Sequence, residues 1–518
     1  MRCLHLVFIE LIPTMLLAQA PSWQWARSFP SNSYQGAVSS LAQDSGYFLS
    51  LDQSGIMLPW GVVEGPTAIL LHMNALGEPT AAVAMPPIKR MLSAGENEAR
   101  FLITYRDSCV LPDVTLYSSA GIGVAMGVVS SEGFISDVVN LPDLVIGADC
   151  AIGDLDLAPN GDLFVVGWFR DSVQCADSTF TADGYFLCRY TNLGELVSAM
   201  SIPNPSMGSM PIIRVEDDGA EGSYVAMQEF ASPVPDPIYG AGTVIASFDT
   251  AWGLRWARSS TDQVGLYSDG PVYLARAHDG GLYAAYTSAG SAFWPGRVAA
   301  LAYSTDGSEL WMNNSFGPQS EWGVCGVMGI ASSPAFDGPV ISVYAYGQME
   351  GYGPFPITTG GSPGAVVAAL DSLGNWAWAV SDNGPGNVFG TKAVVSPNGK
   401  IYCSGTFELN ASFGPHTLTY TPPVGLYSAS LGYGPLGTRA RPLAVGERMV
   451  VHPVPALDRI WLQHGARPGD RIQLRDLQGR TLQTAVVDRI PFPMSVAEFP
   501  SGVYFLCVEG QCQRIVVE

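Results

Sequence analysis

The chain has 518 residues, with 46 acidic against 25 basic side chains, a net charge of −21, 47% hydrophobic positions and only 14% charged ones. That length and apolar content support more than one folded domain and exclude a disordered chain. Lysine occurs only as Lys89, Lys392 and Lys400, so the clustered cations that phosphate contacts require are missing, and nucleic-acid binding is excluded.

The N-terminus, MRCLHLVFIELIPTMLLAQA, has Arg2, an apolar stretch and then small residues. It reads as a secretory signal over residues 1–20, cleaved after Ala20 or after Ala18, with Glu10 and Pro13 interrupting it too much for a membrane anchor. No later uncharged apolar run reaches spanning length, so the mature chain is expected to hold no transmembrane segment. Beyond it, 58 Gly and 38 Pro recur at intervals, which predicts short strands between many turns and an all-β fold.

A strand-like segment, SWQWARSF (22–29), stands alone ahead of a repeated unit. The unit is clearest at 154–200, where DLDLAPNGDLFVVGWF and YFLCRYTNLGELVSAM supply four strand runs with turns at Asn160-Gly161 and Asn192-Leu193-Gly194. Equivalent first turns fall at Ser45-Gly46, Gly95, Asp218-Gly219, Asp279-Gly280, Asp337-Gly338 and Asn398-Gly399, about 50 to 66 residues apart, giving seven units. A second landmark, a polar residue, a turn glycine and a strand often opened by Trp, recurs at 248–260, 303–315 and 370–381, with weaker copies at 73–85 and 129–139.

The seventh unit lacks its fourth strand, and Trp25-Ala26-Arg27-Ser28 repeats Trp256-Ala257-Arg258-Ser259 residue for residue. A strand surplus at one end and missing at the other is what a closed ring needs. Residues 21–433 are therefore expected to form a seven-bladed β-propeller, four antiparallel strands per blade, closed by the N-terminal strand, with the recurrent Trp packed between blades. The repeats resemble bacterial propeller repeats found in secreted proteins and, more distantly, pyrroloquinoline-quinone-type propeller repeats. That resemblance implies a fold and no activity.

Residues 434–447, GPLGTRARPLAVGE, have the composition of a linker. The remaining residues, 448–518, alternate as short strands, as in Arg459-Ile460-Trp461-Leu462, and suffice for a small Ig-like β-sandwich. Residues 441–518 hold nine of the basic residues, all Arg, so the acidity belongs to the large domain, where it is expected to serve solubility. Pro453 and Pro455 before the first strand, Asp476 through Gly479-Arg480 at a central turn, and Gly502-Val503-Tyr504 near the end resemble the type A C-terminal sorting domain of the type IX secretion system. Val454 stands where that family usually has Asn. The resemblance implies export across the outer membrane by way of the periplasm, with the secretion translocon as partner and a secreted or cell-surface location.

Eight cysteines follow the signal, an even number for an oxidising compartment. Spacing pairs Cys507 with Cys512 across a hairpin, Cys175 with Cys188 between neighbouring strands, and Cys109 with Cys150; Cys325 and Cys403 read as buried thiols. His72, His278 and His416 are each solitary, and neither zinc spacing nor a nucleophile elbow is present. Asp154, Asp156 and Asp162 bracket a turn and read as caps of Asn160-Gly161 and not as a calcium loop. Ser304-Thr305-Asp306-Gly307 is similar to the Asp-box of sialidase propellers, a motif that shapes turns, but its Asp and Gly are adjacent.

These features predict no cofactor and a non-enzymatic binding, adhesive or structural protein that presents loops to an extracellular protein or glycan. The alternative from another class is an extracellular hydrolase or quinoprotein-like enzyme with its site at the propeller channel, built from carboxylates of different blades.

Overall fold

Turn residues recurring every dozen or so positions leave room for strands and none for long helices. The computed structural model describes residues 21–31, 37–51, 55–58, 61–64, 68–95, 97–141, 144–145, 149–175, 178–204, 212–220, 222–229, 242–259, 267–268, 271–289, 297–318, 324–350, 355, 357–359, 362–419, 424–432, 450–452, 456, 458–464, 471–475, 481–487, 491–508 and 511–517. The chain divides into two compact units, Met1–Gly434 and Pro435–Glu518.

In the first unit the described residues form seven successive antiparallel sheets of four principal strands. Sheet I comprises Ala37–Ala42, Gly46–Leu51, Ala68–Asn74 and Pro79–Met85. Sheet II comprises Ile88–Gly95, Glu98–Leu111, Val114–Ser130 and Ile135–Leu141, and sheet III Cys150–Leu157, Leu163–Phe169, Gly184–Tyr190 and Leu196–Pro203. Sheet IV follows with Ile213–Asp217, Ser223–Glu229, Gly242–Phe248 and Leu254–Ser259, and sheet V with Tyr273–Arg276, Leu282–Ala289, Arg297–Tyr303 and Glu309–Pro318. Sheet VI is Val324–Ala331, Val340–Tyr346, Gly364–Leu370 and Trp376–Ser381. Sheet VII takes Val388–Val395, Ile401–Phe407 and Val424–Gly432 from the end of the unit and its fourth strand, Ser22–Ser31, from the beginning. There Ser28 pairs Tyr427 and Trp25 pairs Ser430.

The middle strands carry apolar residues on both faces, and every residue of Gly46–Leu51, Gly184–Tyr190, Gly364–Leu370 and Ile401–Phe407 is buried. A sheet apolar on both faces must be covered on both, so sheets stack on sheets. Each apolar cluster draws on two consecutive sheets: Phe48 and Leu70 of sheet I meet Phe101 and Ile103 of sheet II, and Phe164 and Val166 of sheet III meet Val215 and Val225 of sheet IV. The succession returns to its start, because Trp25, Tyr402 and Leu426 of sheet VII share a cluster with Tyr47, Leu49 and Ile69 of sheet I. The first strands follow the same order, each beside the next, with Val388–Val395 beside Ala37–Ala42. This is the sheet stacking of a β-propeller.

The turn between third and fourth strands shows why the repeat folds locally. A side-chain oxygen of Asn74, Ser130, Thr191, Asp249 or Asp371 accepts hydrogen bonds from the amides two and four residues on. The residue three positions on is left-handed, as at Gly77 (φ 75°) and Gly374 (φ 79°), and Gly307 (φ 81°) stands likewise three positions after Ser304, where a side chain would be strained. In sheet IV that position is Trp252 (φ 63°), whose ring packs on Phe248 and Phe164, so packing offsets the strain.

The glycine also receives the indole of the preceding sheet. A Cβ at Gly307 would lie 2.6 Å from the Trp256 ring, and one at Gly77 2.5 Å from the Trp25 ring. Trp256 Nε1–H donates to the Thr305 carbonyl at 3.0 Å, and Trp25 Nε1–H to the Ala75 carbonyl at 3.0 Å. The N-terminal strand thus docks on sheet I just as the matching strand of sheet IV docks on sheet V.

The second unit holds a three-stranded sheet, Val450–His452, Arg459–His464 and Phe492–Ser495, and a four-stranded one, Thr481–Val486, Arg471–Arg475, Gly502–Val508 and Gln511–Val517. Ile460, Leu462 and Met494 of the first share a core with Ile472, Leu474, Leu506 and Ile515 of the second. Among the described residues no helix is long and apolar enough to cross a membrane.

Candidate functional site

First strands carry few charges in a stacked-sheet repeat unless they face something polar. Here they face a common cavity of about 420 Å³, to which every sheet contributes: Ser40, Arg90, Asp154, Arg214, Tyr273, Gly329 and Lys392, in the order I to VII. Arg90 reaches from sheet II over sheet III to sheet IV. Its guanidinium lies 3.4 Å from Asp154, 3.4 Å from Asp156 and 2.5 Å from Glu216.

The carboxylates are tied to the backbone as well. Asp154 Oδ2 accepts the Val215 amide at 3.2 Å and Asp156 Oδ2 accepts the Asp217 amide at 2.7 Å. These two aspartates are therefore cross-sheet ties, which corrects their reading as caps of the Asn160-Gly161 turn. Alternation along the strand sends both toward the neighbouring first strand, while Asn160 caps its own turn through the Asp162 amide and Asp162 pairs with Arg189 at 2.6 Å.

Burial pushes the carboxyls of Asp156 and Glu216 up, and the Arg90 charge opposes that rise. Lys392 sits among cations. Burial, then Arg214 and Arg90, pull its ammonium down to about 8, while Asp154 acts the other way. Arg214 gives its Nη1 to the carbonyls of Gly153 (2.9 Å) and Ile213 (3.1 Å).

A second cavity, about 660 Å³, lies between sheets II and III and shares Lys89 with the first. Thr104, Tyr105, Arg106, Ser108, Cys109 and Cys150 are among its lining residues. Burial pushes the Cys109 thiol up to about 11, so it is held as the thiol and is unsuited to nucleophilic work near neutral pH.

The cysteine positions resolve as follows. Cys109, Cys150, Cys175 and Cys188 are buried and form no disulfide, which corrects the bonded pairs expected from spacing. Cys175 and Cys188 are nonetheless adjacent, Sγ to Sγ 3.0 Å, a thiol contact longer than the bond of about 2.05 Å. Cys507 and Cys512 stand opposite one another in register. In the second unit Gly502 opens a strand and Tyr504 is buried, its hydroxyl donating to the Pro500 carbonyl at 2.7 Å. Pro453, Pro455, Asp476 and Gly479 lie outside the described residues, as do residues 1–20.

His72 is buried against Phe48 with Nδ1 2.5 Å from the Thr80 hydroxyl, and His278 and His416 lie on surface turns and hairpins. Among the described residues no group of three His, Cys, Asp or Glu side chains is arranged to hold a metal ion. Sequence reasoning missed Arg90, Arg214, Glu216 and Lys392. The signal was available: charges inside the otherwise apolar first strand of a unit, which the stacked sheets bring to a common cavity.

No family model matches the chain, and no curated protein does. Among solved structures it is similar to a member of the duf4221 family from Bacteroides vulgatus (9% identity, 80% of this chain and 97% of that one, TM-score 0.33). It is also similar to a GH43 protein from Bacillus licheniformis (10% identity, 78% and 98%, TM-score 0.29) and to a protein of unknown function from Bacteroides caccae (11% identity, 57% and 92%, TM-score 0.32). At this level of likeness nothing is carried over to the chain.

Proposed function

We propose that the chain is a seven-bladed β-propeller closed by its N-terminal strand, followed by an Ig-like sorting domain, and that it is exported by the type IX route to act outside the cell as a binding protein and not a catalyst. The observation that carries the binding reading is the Arg90 clasp. Glycoside cleavage needs an acid and a base free to exchange protons, whereas Asp154, Asp156 and Glu216 all lie within 3.4 Å of one guanidinium and each also accepts a backbone amide. Such carboxylates pin three sheets together.

Closure is supported by the matching docks of Trp25 and Trp256 and by the shared core of sheets VII and I. The export reading rests on the sorting-domain residues of the sequence. A chain ending at residue 440 is expected to accumulate in the periplasm of a type IX-competent host; normal levels outside the cell would refute that route. For the activity, the full chain is applied to a glycan and protein array alongside a hydrolysis screen. Retention without product supports the binding reading.

One observation favours a hydrolase at the channel as second reading: three carboxylates from two sheets converge on Arg90, which lines the common cavity together with Asp154. Product release that Asp156→Asn abolishes would establish it.

A further inference from the structure

Sheet II departs from the other sheets in its middle strands. Glu98–Leu111 and Val114–Ser130 have 14 and 17 residues, where the equivalents in sheets III and VI have 7. The pair breaks register between Tyr117, opposite Ser108, and Ile122, opposite Arg106. At the break Asp107 is left-handed (φ 56°), and a bulge of this kind bends the hairpin and re-aims its side chains. Beneath the bend lies the cavity of about 660 Å³, with Arg106 and Ser108 on one side, Pro86 and Pro87 on another and the start of sheet III on a third.

Its chemistry runs against the rest of the molecule. In a chain with 46 acidic and 25 basic residues, no carboxylate among the described residues lines this cavity, while Lys89 and Arg106 do. Both are exposed, and neither has a carboxylate within salt-bridge distance among the described residues. Two of the chain's three lysines, Lys89 and Lys392, border this cavity or the axial one it adjoins. Cations gathered in a concave, low-dielectric wall focus a positive potential that an acidic exterior does not cancel locally. The hydroxyls of Thr104 and Ser108 line the same cavity, and its volume lies within the range of about 300–1,000 Å³ typical of small-ligand sites.

We infer that this cavity binds a small organic oxyanion on a hydroxylated scaffold, an acidic saccharide unit, with Lys89 and Arg106 holding the oxyanion and Thr104 and Ser108 meeting ring hydroxyls. This rests on the binding-protein reading and specifies the ligand's chemistry. A carboxylate and a sulfate ester offer the same oxygen acceptors to the two cations, so both belong in the test.

The test is calorimetric titration of the full secreted chain with trigalacturonate, with a sulfated disaccharide and with a neutral galactose trimer. At least one anionic probe is expected to bind, more weakly as salt is raised, and the neutral trimer is not. Lys89→Gln and Arg106→Gln should each weaken binding by about tenfold, as loss of a charge-assisted hydrogen bond does, whereas Lys89→Arg retains it and Lys400→Gln leaves it unchanged. Both sites are exposed, so unchanged melting confirms that the variants fold. Failure of both anionic probes to bind, or equal binding by the Lys89→Gln/Arg106→Gln double variant, overturns the inference. Binding of the neutral trimer with indifference to both substitutions also overturns it while leaving the binding-protein reading intact; only catalytic turnover removes that.

Discussion

Replacing Trp25 by alanine probes the closure directly. The side chain is 9% exposed, lies against the backbone of Gly77, donates to the Ala75 carbonyl at 3.0 Å and neighbours the rings of Tyr47 and Tyr402. Truncating a buried Trp to Ala costs about 3–5 kcal/mol, of which the indole hydrogen bond contributes about 1 kcal/mol. Trp25→Phe keeps most of the packing and should cost about 1–2 kcal/mol. Trp256→Ala removes the same dock from the middle of the chain, so it should match Trp25→Ala to within about 1 kcal/mol. Guanidinium denaturation of the full chain followed by circular dichroism measures all three. Hydrogen exchange over Val424–Gly432, the strand that pairs with residues 22–31, adds a local readout and should speed up in Trp25→Ala alone. If Trp25→Ala costs less than about 1 kcal/mol while Trp256→Ala costs its full amount, the terminal strand does not hold the ring shut and the reasoning fails.

Two further outcomes follow from the same geometry. Gly307→Ala and Gly280→Ala both force alanine into the left-handed region (φ 81° and 88°), at about 1–2 kcal/mol, but only the first meets an indole, at 2.6 Å against 3.5 Å to the Thr305 methyl. Gly307→Ala should therefore be worse by about 1–3 kcal/mol in urea denaturation, and equal costs would refute the indole dock. The Asp382 carboxyl is pushed up to about 7 by burial, against the pull of the Ala365 and Gly384 amides. Between its unfolded value, near 3.8, and 7 the native state keeps a proton that the unfolded chain has lost, so stability falls as pH rises through that window, by on the order of 4 kcal/mol. Asp382→Asn keeps an acceptor for the Ala365 amide, now at 2.6 Å, and does not titrate. It should melt like the parent near pH 4 and above it near pH 8; a parent no less stable at pH 8 than at pH 4 relative to the variant would contradict this.

The repeat, its turns and the placement of the terminal strand were legible in the amino-acid order because each depends on neighbours a few residues apart. A polar side chain followed three positions later by glycine makes its own turn through local hydrogen bonds, and six such turns mark the sheets. The copy of Trp256-Ala257-Arg258-Ser259 at residues 25–28 implied the same dock, since the same side chains meet the same kind of turn. Turn capping does not describe Asp162, whose side chain pairs with Arg189, nor Asp154 and Asp156, whose partners, Arg90, Val215 and Asp217, are about 60 residues away.

What sequence order determined by itself is thus the unit and its multiplication, with the strand that completes the last sheet. Only the tertiary structure decided which charges of the first strands meet, that a cavity lined by no carboxylate among the described residues opens at the bend of sheet II, and that the thiols of Cys175 and Cys188 touch without a disulfide. Local turns and alternation are set by short-range sterics and hydrogen bonds. The convergence of Arg90, Asp154, Asp156, Glu216 and Lys392 depends on how seven stacked sheets curve, and curvature is a sum over every packed face that no single segment encodes.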